Sequence, residues 1–113
     1  PDPQEAVQEI IEEESWRQIL SSMVLCFFSR GLYTPDLVAS ALSSLGYDLS
    51  EHQLMSLGRE IYLEKQRIKK NEGFSAAKIR VPERLYNTET PIGRIDRRYF
   101  ERALEYFDKL LER

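Results

Sequence analysis

Between Leu49 and Gly73 the chain carries the signals for one long helix, and that helix limits what the remainder can fold into. At its start, the Ser50 hydroxyl is placed to accept the Gln53 amide, and the Gln53 side chain to reach back to the Ser50 N–H. Leu49 stands where it can staple against Leu54. Leu54, Leu57, Ile61 and Ile68 then recur at helical spacing, with Met55 and Tyr62 widening the stripe. The pattern stops at Asn71-Glu72-Gly73, where Gly73 can take the left-handed conformation that closes a helix. A helix of about 20 residues is about 30 Å long, enough to cross a small domain. Gly58 interrupts its middle at a cost of about 1 kcal/mol relative to alanine, which implies close approach of another backbone.

The full chain of 113 residues is long enough for one core and is read as a single domain, residues 1–113. With 42% hydrophobic and 31% charged residues it has the balance of a globular protein rather than a disordered one. A formal net charge of -3 gives no global field that would draw nucleic acid or acidic membranes. No apolar run reaches the roughly 18 residues of a membrane span, and no signal peptide is visible, so a cytoplasmic setting is expected. The one cysteine excludes an internal disulfide and agrees with a reducing compartment. The first residue is Pro1 rather than methionine, which suggests a piece of a longer chain.

In chain order, Asp2-Pro3-Gln4-Glu5 reads as a cap, a proline in the first helical position and a capping-box glutamate. Ala6, Val7, Ile10 and Ile11 follow on one face. Glu12, Glu13 and Glu14 should face water. Ser15-Trp16-Arg17-Gln18 offers a second capping box, so either one helix continues or a new one begins there. Trp16, Ile19, Leu20, Met23, Val24 and Phe27 keep the helical interval. Val24 to Phe28 is apolar on every side and is expected to be buried, with Arg30-Gly31 ending the segment. Thr34-Pro35-Asp36 starts another helix, with Thr34 as cap and Tyr33 able to staple to Val38. Leu37, Val38, Ala41, Leu42 and Leu45 form its inner face. A short turn after Gly46 makes it a neighbour of the long helix. Residues 74–94 show no sustained period and are expected to be irregular. Asp96 caps a last helix carrying Tyr99, Phe100, Ala103, Leu104, Phe107, Leu110 and Leu111. The fold class is all-α, about five helices in a single irregular, orthogonal bundle.

The residues spell out no catalytic constellation. His52 lies in a polar first turn and lacks the companions a zinc site needs. Lys65, Arg67, Lys69 and Lys70 cluster at a helix C-terminus, where the helix dipole accounts for them; the acidic total argues against nucleic acid. Gly93-Arg94-Ile95-Asp96 has the glycine of a calcium loop without its carboxylates. Cys26 remains, and a free cysteine in an apolar run is ordinarily a small buried hydrophobe.

From about Leu20 to Phe107 a set of motifs falls in order: Gly46-Tyr47-Asp48, Gly58-Arg59-Glu60-Ile61, Asn71-Glu72-Gly73-Phe74 and Pro82-Glu83-Arg84-Leu85. Elements near Arg94-Ile95-Asp96 and Glu105-Tyr106-Phe107 follow. Together they resemble the C-terminal helical domain of the tungsten-dependent aldehyde:ferredoxin oxidoreductases. The resemblance implies a tungsten held by two pterin dithiolenes that oxidises an aldehyde to a carboxylic acid. It also implies a four-iron, four-sulfur cluster that passes the electrons to ferredoxin. Three cluster cysteines come from upstream domains in that family, and the fourth from an Asp-x-x-Gly-Leu-Cys motif that aligns with Ser21 to Cys26. Leu25 and Cys26 match, which makes Cys26 a candidate cluster ligand and Leu25 a candidate neighbour of pterin or cluster. Ser21 stands where the family has the pterin-contacting aspartate, and Val24 where it has glycine. Leu110-Leu111-Glu112 replaces the family's usual Arg-Gly-Trp.

The resemblance makes this chain part of an oxidoreductase whose partners are the upstream cofactor-binding domains of the same polypeptide, and ferredoxin. A second copy of the chain is a further candidate partner. One cysteine cannot hold a cluster alone, so the isolated chain should carry no cofactor, oxidise no aldehyde and keep its thiol shielded. The departures at Ser21 and Val24 keep a different reading open, a helical module that docks on a partner without any cofactor contact.

Overall fold

The computed structural model describes residues 2–112. Among them are five α-helices and no strand: α1 (Pro3–Ser22), α2 (Pro35–Ser44), α3 (Glu51–Asn71), α4 (Glu83–Asn87) and α5 (Arg97–Leu110). Two 3-10 turns, Phe27–Ser29 and Ala76–Lys78, lie between helices. The fold is all-α, as the periodicity predicts. Its contacts gather into two compact units, Ile10–Lys65 and Pro1–Glu9 with Gln66–Arg113.

Helix α1 settles the alternative at Ser15. Asp2 Oδ1 accepts the Gln4 N–H at 2.9 Å to open the helix. The Ser15 hydroxyl then donates to the Ile11 carbonyl at 2.6 Å, within the helix, instead of capping a new one. Ser15 is 2% exposed, so this bond also satisfies a hydroxyl that burial would otherwise strand. The helix therefore runs unbroken to Ser22. It stops well short of Phe27, to which its apolar interval extends. Val24 takes a left-handed backbone with φ +59°, and the Leu25 N–H bonds the Leu20 carbonyl at 3.0 Å.

In the unit Ile10–Lys65 the core is Ile19, Leu20, Val38 and Leu54, all buried. Trp16, Met23, Leu25, Tyr33, Leu42, Leu49 and Ile61 pack against it. Burying a leucine fully, as at Leu54, contributes about 1.5–3 kcal/mol. The Trp16 indole N–H donates to the Tyr33 carbonyl at 3.2 Å, which holds the start of α2 against α1. Both halves of the expected capping box at α3 form: Gln53 N–H to Ser50 Oγ at 3.1 Å, and Ser50 N–H to Gln53 Oε1 at 2.9 Å. Gly58 fulfils its expected role. A Cβ there would stand 2.4 Å from the Ser15 carbonyl oxygen and 3.1 Å from Ile19 Cγ1.

Three expectations are corrected in this unit. The inner face of α2 is Val38 with Ala39 and Leu42, while Leu37, Ala41 and Leu45 are exposed, because α2 is turned by one position around Val38. On α3 the deep residues are Leu54, Gly58 and Tyr62, one per turn, and Leu57 lies outward, as does Ile68 beyond the end of this unit. Thr34 flanks α2 with extended backbone but its side chain does not cap the helix. Its hydroxyl bonds the Asp36 carboxylate instead, and that bond, with the Leu37 amide, lowers the Asp36 pKa.

In the unit Pro1–Glu9 with Gln66–Arg113, α5 begins as expected, with Asp96 Oδ1 accepting the Tyr99 N–H at 2.9 Å. The stretch 74–94 is more ordered than its sequence suggests, since it contains the turn Ala76–Lys78 and the one-turn helix α4. Neither is long enough to show a period. Asp108 holds the first of them, accepting Ser75 Oγ at 2.6 Å, Ala76 N–H at 2.8 Å and Ala77 N–H at 2.9 Å. Tyr86 packs edge-on to Phe100 at 6.3 Å, and the Arg97 guanidinium lies 4.2 Å over the Tyr86 ring while pairing with Glu83. On the N-terminal segment, Val7 is buried and Gln8 donates to the Tyr106 hydroxyl at 3.1 Å.

Candidate functional site: the end of helix α1

Ser21, Val24, Leu25 and Cys26 all lie where α1 ends. Ser21 is exposed in the last turn of the helix, and its carbonyl accepts the Val24 N–H at 3.1 Å. At Val24 the chain reverses out of the helix. Leu25 is carried inward onto the core, and Cys26, the next residue, is turned outward. Cys26 has extended backbone (φ -66°, ψ 129°), and its carbonyl accepts the Ser29 N–H at 3.0 Å to form the 3-10 turn.

The burial expected for Val24 to Phe28 is overturned here. Val24 is 91% and Phe28 90% exposed; Phe27 and Leu32 are also exposed, and the Cys26 thiol is open to solvent rather than shielded. The physical reason is the early stop of α1. A continuing helix would keep presenting this stripe to the core, whereas the left-handed residue breaks the stripe and leaves only Leu25 pointing inward.

The turn builds a surround that the sequence reading missed. Two guanidinium groups lie over the Phe27 ring, Arg17 at 4.8 Å and Arg30 at 4.2 Å from its centroid. Arg30 Nη1 also donates to the Phe27 carbonyl at 3.2 Å, and Arg17 pairs with Glu13 at 2.6 Å. Phe28 meets Phe27 edge-on at 6.0 Å. From Gln18 to Pro35 the sequence holds no Asp or Glu, although the chain has 19 of them. The thiol is thus displayed beside aromatic rings and cations, with no carboxylate from its own segment. The acid-free run was legible from the sequence; the cation pairing was not, since it depends on where the helix stops.

The chemistry available to this chain's own residues is narrow. Among the described residues no group of three or more His, Cys, Asp or Glu side chains could hold a metal ion. An iron–sulfur cluster takes about four thiolates. Cys26 therefore does not fit a cluster of the chain's own, but an outward thiol does fit the role of one ligand to a cluster whose other ligands lie elsewhere. The remaining candidates do not converge on it. His52 is exposed in the first turn of α3, near Glu12, Met55 and Arg59 around a shallow depression. Of the clustered basic residues, Lys65 bonds the Gln18 side chain, Lys69 lies 5.8 Å over the Phe74 ring, and the Lys70 charge acts on Asp108. Gly93 has φ +102° and closes the isolated bridge with Thr90, a turn rather than a calcium loop.

The fold and this site define an all-α module with one thiol displayed on an apolar, acid-free helix end. The family model for aldehyde ferredoxin oxidoreductase, domains 2 and 3, matches residues 1–113, and the chain belongs to that family. No curated protein and no solved structure matches it. Among the described residues no helix is long and apolar enough to cross a membrane.

Proposed function

We propose that the chain is the C-terminal helical part of a tungstopterin-dependent aldehyde oxidoreductase, working in the cytoplasm. Cys26 gives the fourth thiolate to a four-iron, four-sulfur cluster whose other ligands lie on preceding domains of the same polypeptide. The observation that carries this reading is the outward Cys26 directly after an inward Leu25, in the one stretch that aligns with the family's cysteine motif. When bound, the cofactors supply aldehyde oxidation and pass electrons on to ferredoxin. The chain's residues do the rest. Leu25 anchors the loop in the core and leaves the next residue, Cys26, facing outward. Val24, Phe27 and Phe28 exclude water once covered by the preceding domains. Arg17 and Arg30 place positive charge beside a site that binds an anionic group, where a low dielectric strengthens the attraction. No pterin contact is assigned to Ser21, because a hydroxyl replaces the family's carboxylate there.

One observation favours a second reading, a non-catalytic interaction module. Val24 occupies a left-handed position where the family has glycine, so the motif has drifted at a residue its geometry depends on. The full-length polypeptide with Cys26→Ser separates the two. Loss of iron and of the visible cluster absorption, with folding intact, is the expected result. An unchanged iron content and spectrum would leave Cys26 as a surface residue and favour the interaction module.

A further inference from the structure

We infer that residues 23–30 are a two-state element: the capped form seen here, and a second form in which α1 continues through Val24 to about Ser29. Three independent observations point to it. Val24 has φ +59°, a region that L residues and above all β-branched ones disfavour. The side chain gains nothing in return, since it is 91% exposed. The sequence itself asks for more helix than the structure shows. Trp16, Ile19, Leu20, Met23, Val24 and Phe27 keep the helical interval, yet α1 stops at Ser22.

The forces that hold the capped form are few and can be named. They are the Val24 and Leu25 N–H bonds to Ser21 and Leu20, the packing of Leu25 on the core, and the contacts of the Phe27 ring with the Arg17 and Arg30 cations. Continuing the helix would relieve Val24, exchange the two N–H bonds for ordinary helical ones to Leu20 and Ser21, and give up the packing of Leu25 and the cation contacts of Phe27. It would also move the thiol. In a helix Cys26 falls three residues after Met23 and seven after Ile19, and so shares their core-facing side. The capped form displays Cys26 and the helical form covers it. The inference concerns the backbone and stands whether or not Cys26 binds a cluster.

The test uses the 113-residue chain in three forms, wild type, Val24→Gly and Val24→Ala, followed by backbone NMR. Glycine takes the left-handed conformation freely and is poor in a helix, whereas alanine is the reverse. At a position this exposed neither change disturbs packing, and a cooperative urea transition for each variant confirms that it folds. Exchange on the microsecond-to-millisecond scale is seen by relaxation dispersion, and faster exchange by averaged Cα shifts. Val24→Gly should lower the helical population of residues 24–29 about tenfold or more relative to both Val24→Ala and the wild type. Reaction of the Cys26 thiol with a disulfide reagent should be fastest in Val24→Gly. Identical Cα shifts and dispersion profiles at residues 24–29 in all three chains would overturn the inference. So would a minor state whose shifts are not helical.

Discussion

At the end of α3, the Phe74 N–H reaches the Lys69 carbonyl at 3.0 Å and the Gly73 N–H the Lys70 carbonyl at 3.0 Å. At the end of α1, the Leu25 and Val24 N–H groups reach Leu20 and Ser21 at 3.0 and 3.1 Å. The two ends share one hydrogen-bond arrangement, the six-to-one and five-to-two bonds of a left-handed helix cap. They differ in the residue that carries it, Gly73 with φ +93° and Val24 with φ +59°. Backbone hydrogen bonds dictate the path of the chain at both places, and the side chain decides only what that path costs. Glycine adopts it freely. For valine the cost is of order 1–3 kcal/mol, and strain of that size persists where the surroundings impose it. It falls two residues before the candidate ligand Cys26.

The largest effect expected on this comparison comes from Gly58, a glycine used for space and not for backbone freedom. It sets the approach of α1 and α3 within the unit Ile10–Lys65. Gly58→Leu should lower stability by about 1–3 kcal/mol through overpacking, read as a drop in urea midpoint at constant slope. Gly58→Ala should also destabilise. Its methyl would meet a backbone oxygen at 2.4 Å, which outweighs the helix propensity that alanine adds. A higher midpoint for the alanine variant would mean that the helices have room to separate.

Next in size is Asp108, which marks a second difference between the two ends. The chain after α3 is tied down by a carboxylate, and the chain after α1 has no such tie. Burial pushes the Asp108 carboxyl up, but the Ser75 hydroxyl, the Ala77 and Ala76 amides and the Lys70 charge together hold it below its ordinary value of 3.8. A lowered folded pKa means the contribution is fully present above the unfolded value. It is lost as pH falls from about 4 through the folded value. Asp108→Ala should cost about 2 kcal/mol at neutral pH, since it removes three bonds to a charged acceptor. It should also flatten the acid limb of a stability-versus-pH curve. An unchanged acid limb in the variant would show that other carboxylates set it.

These two cases also show what the sequence made legible. Signals contained within one turn were readable: the paired bonds of Ser50 and Gln53, the Asp96 cap, the close approach at Gly58 and the stop at Gly73. Interactions that span the chain were not. Nothing near Asp108 announces partners 31 to 33 residues away. The end of α1 failed for a different reason. No glycine or proline marks it, so the apolar interval was extended to Phe27, and burial of Val24 to Phe28 followed from that extension. At the candidate site, Leu25 and Cys26 are expectations that rest on the family motif alone. The cation pair around Phe27 was not legible, because it exists only after the helix has stopped.

Exchanging the two cap residues probes the comparison directly, and one direction is larger. Gly73→Val places at α3 the residue that α1 tolerates, and should destabilise by about 1–2 kcal/mol. Equal stability would mean that the α3 end can relax away from its left-handed geometry, and the likeness of the two ends would be superficial.

The reverse change is the smallest expected and the most informative. Val24→Gly removes the side-chain penalty but adds freedom to the unfolded chain, which offsets part of the gain. The difference leaves a stabilisation of up to about 1 kcal/mol, measured as a rise in urea midpoint. No packing is lost, since Val24 is 91% exposed. The sign carries the meaning. A gain would show that valine is held in a poor conformation by the bonds to Leu20 and Ser21, and that restoring the family's glycine relieves it. A loss would show that the capped end is not where the free chain spends its time, and that Val24 favours the longer helix that its sequence pattern describes.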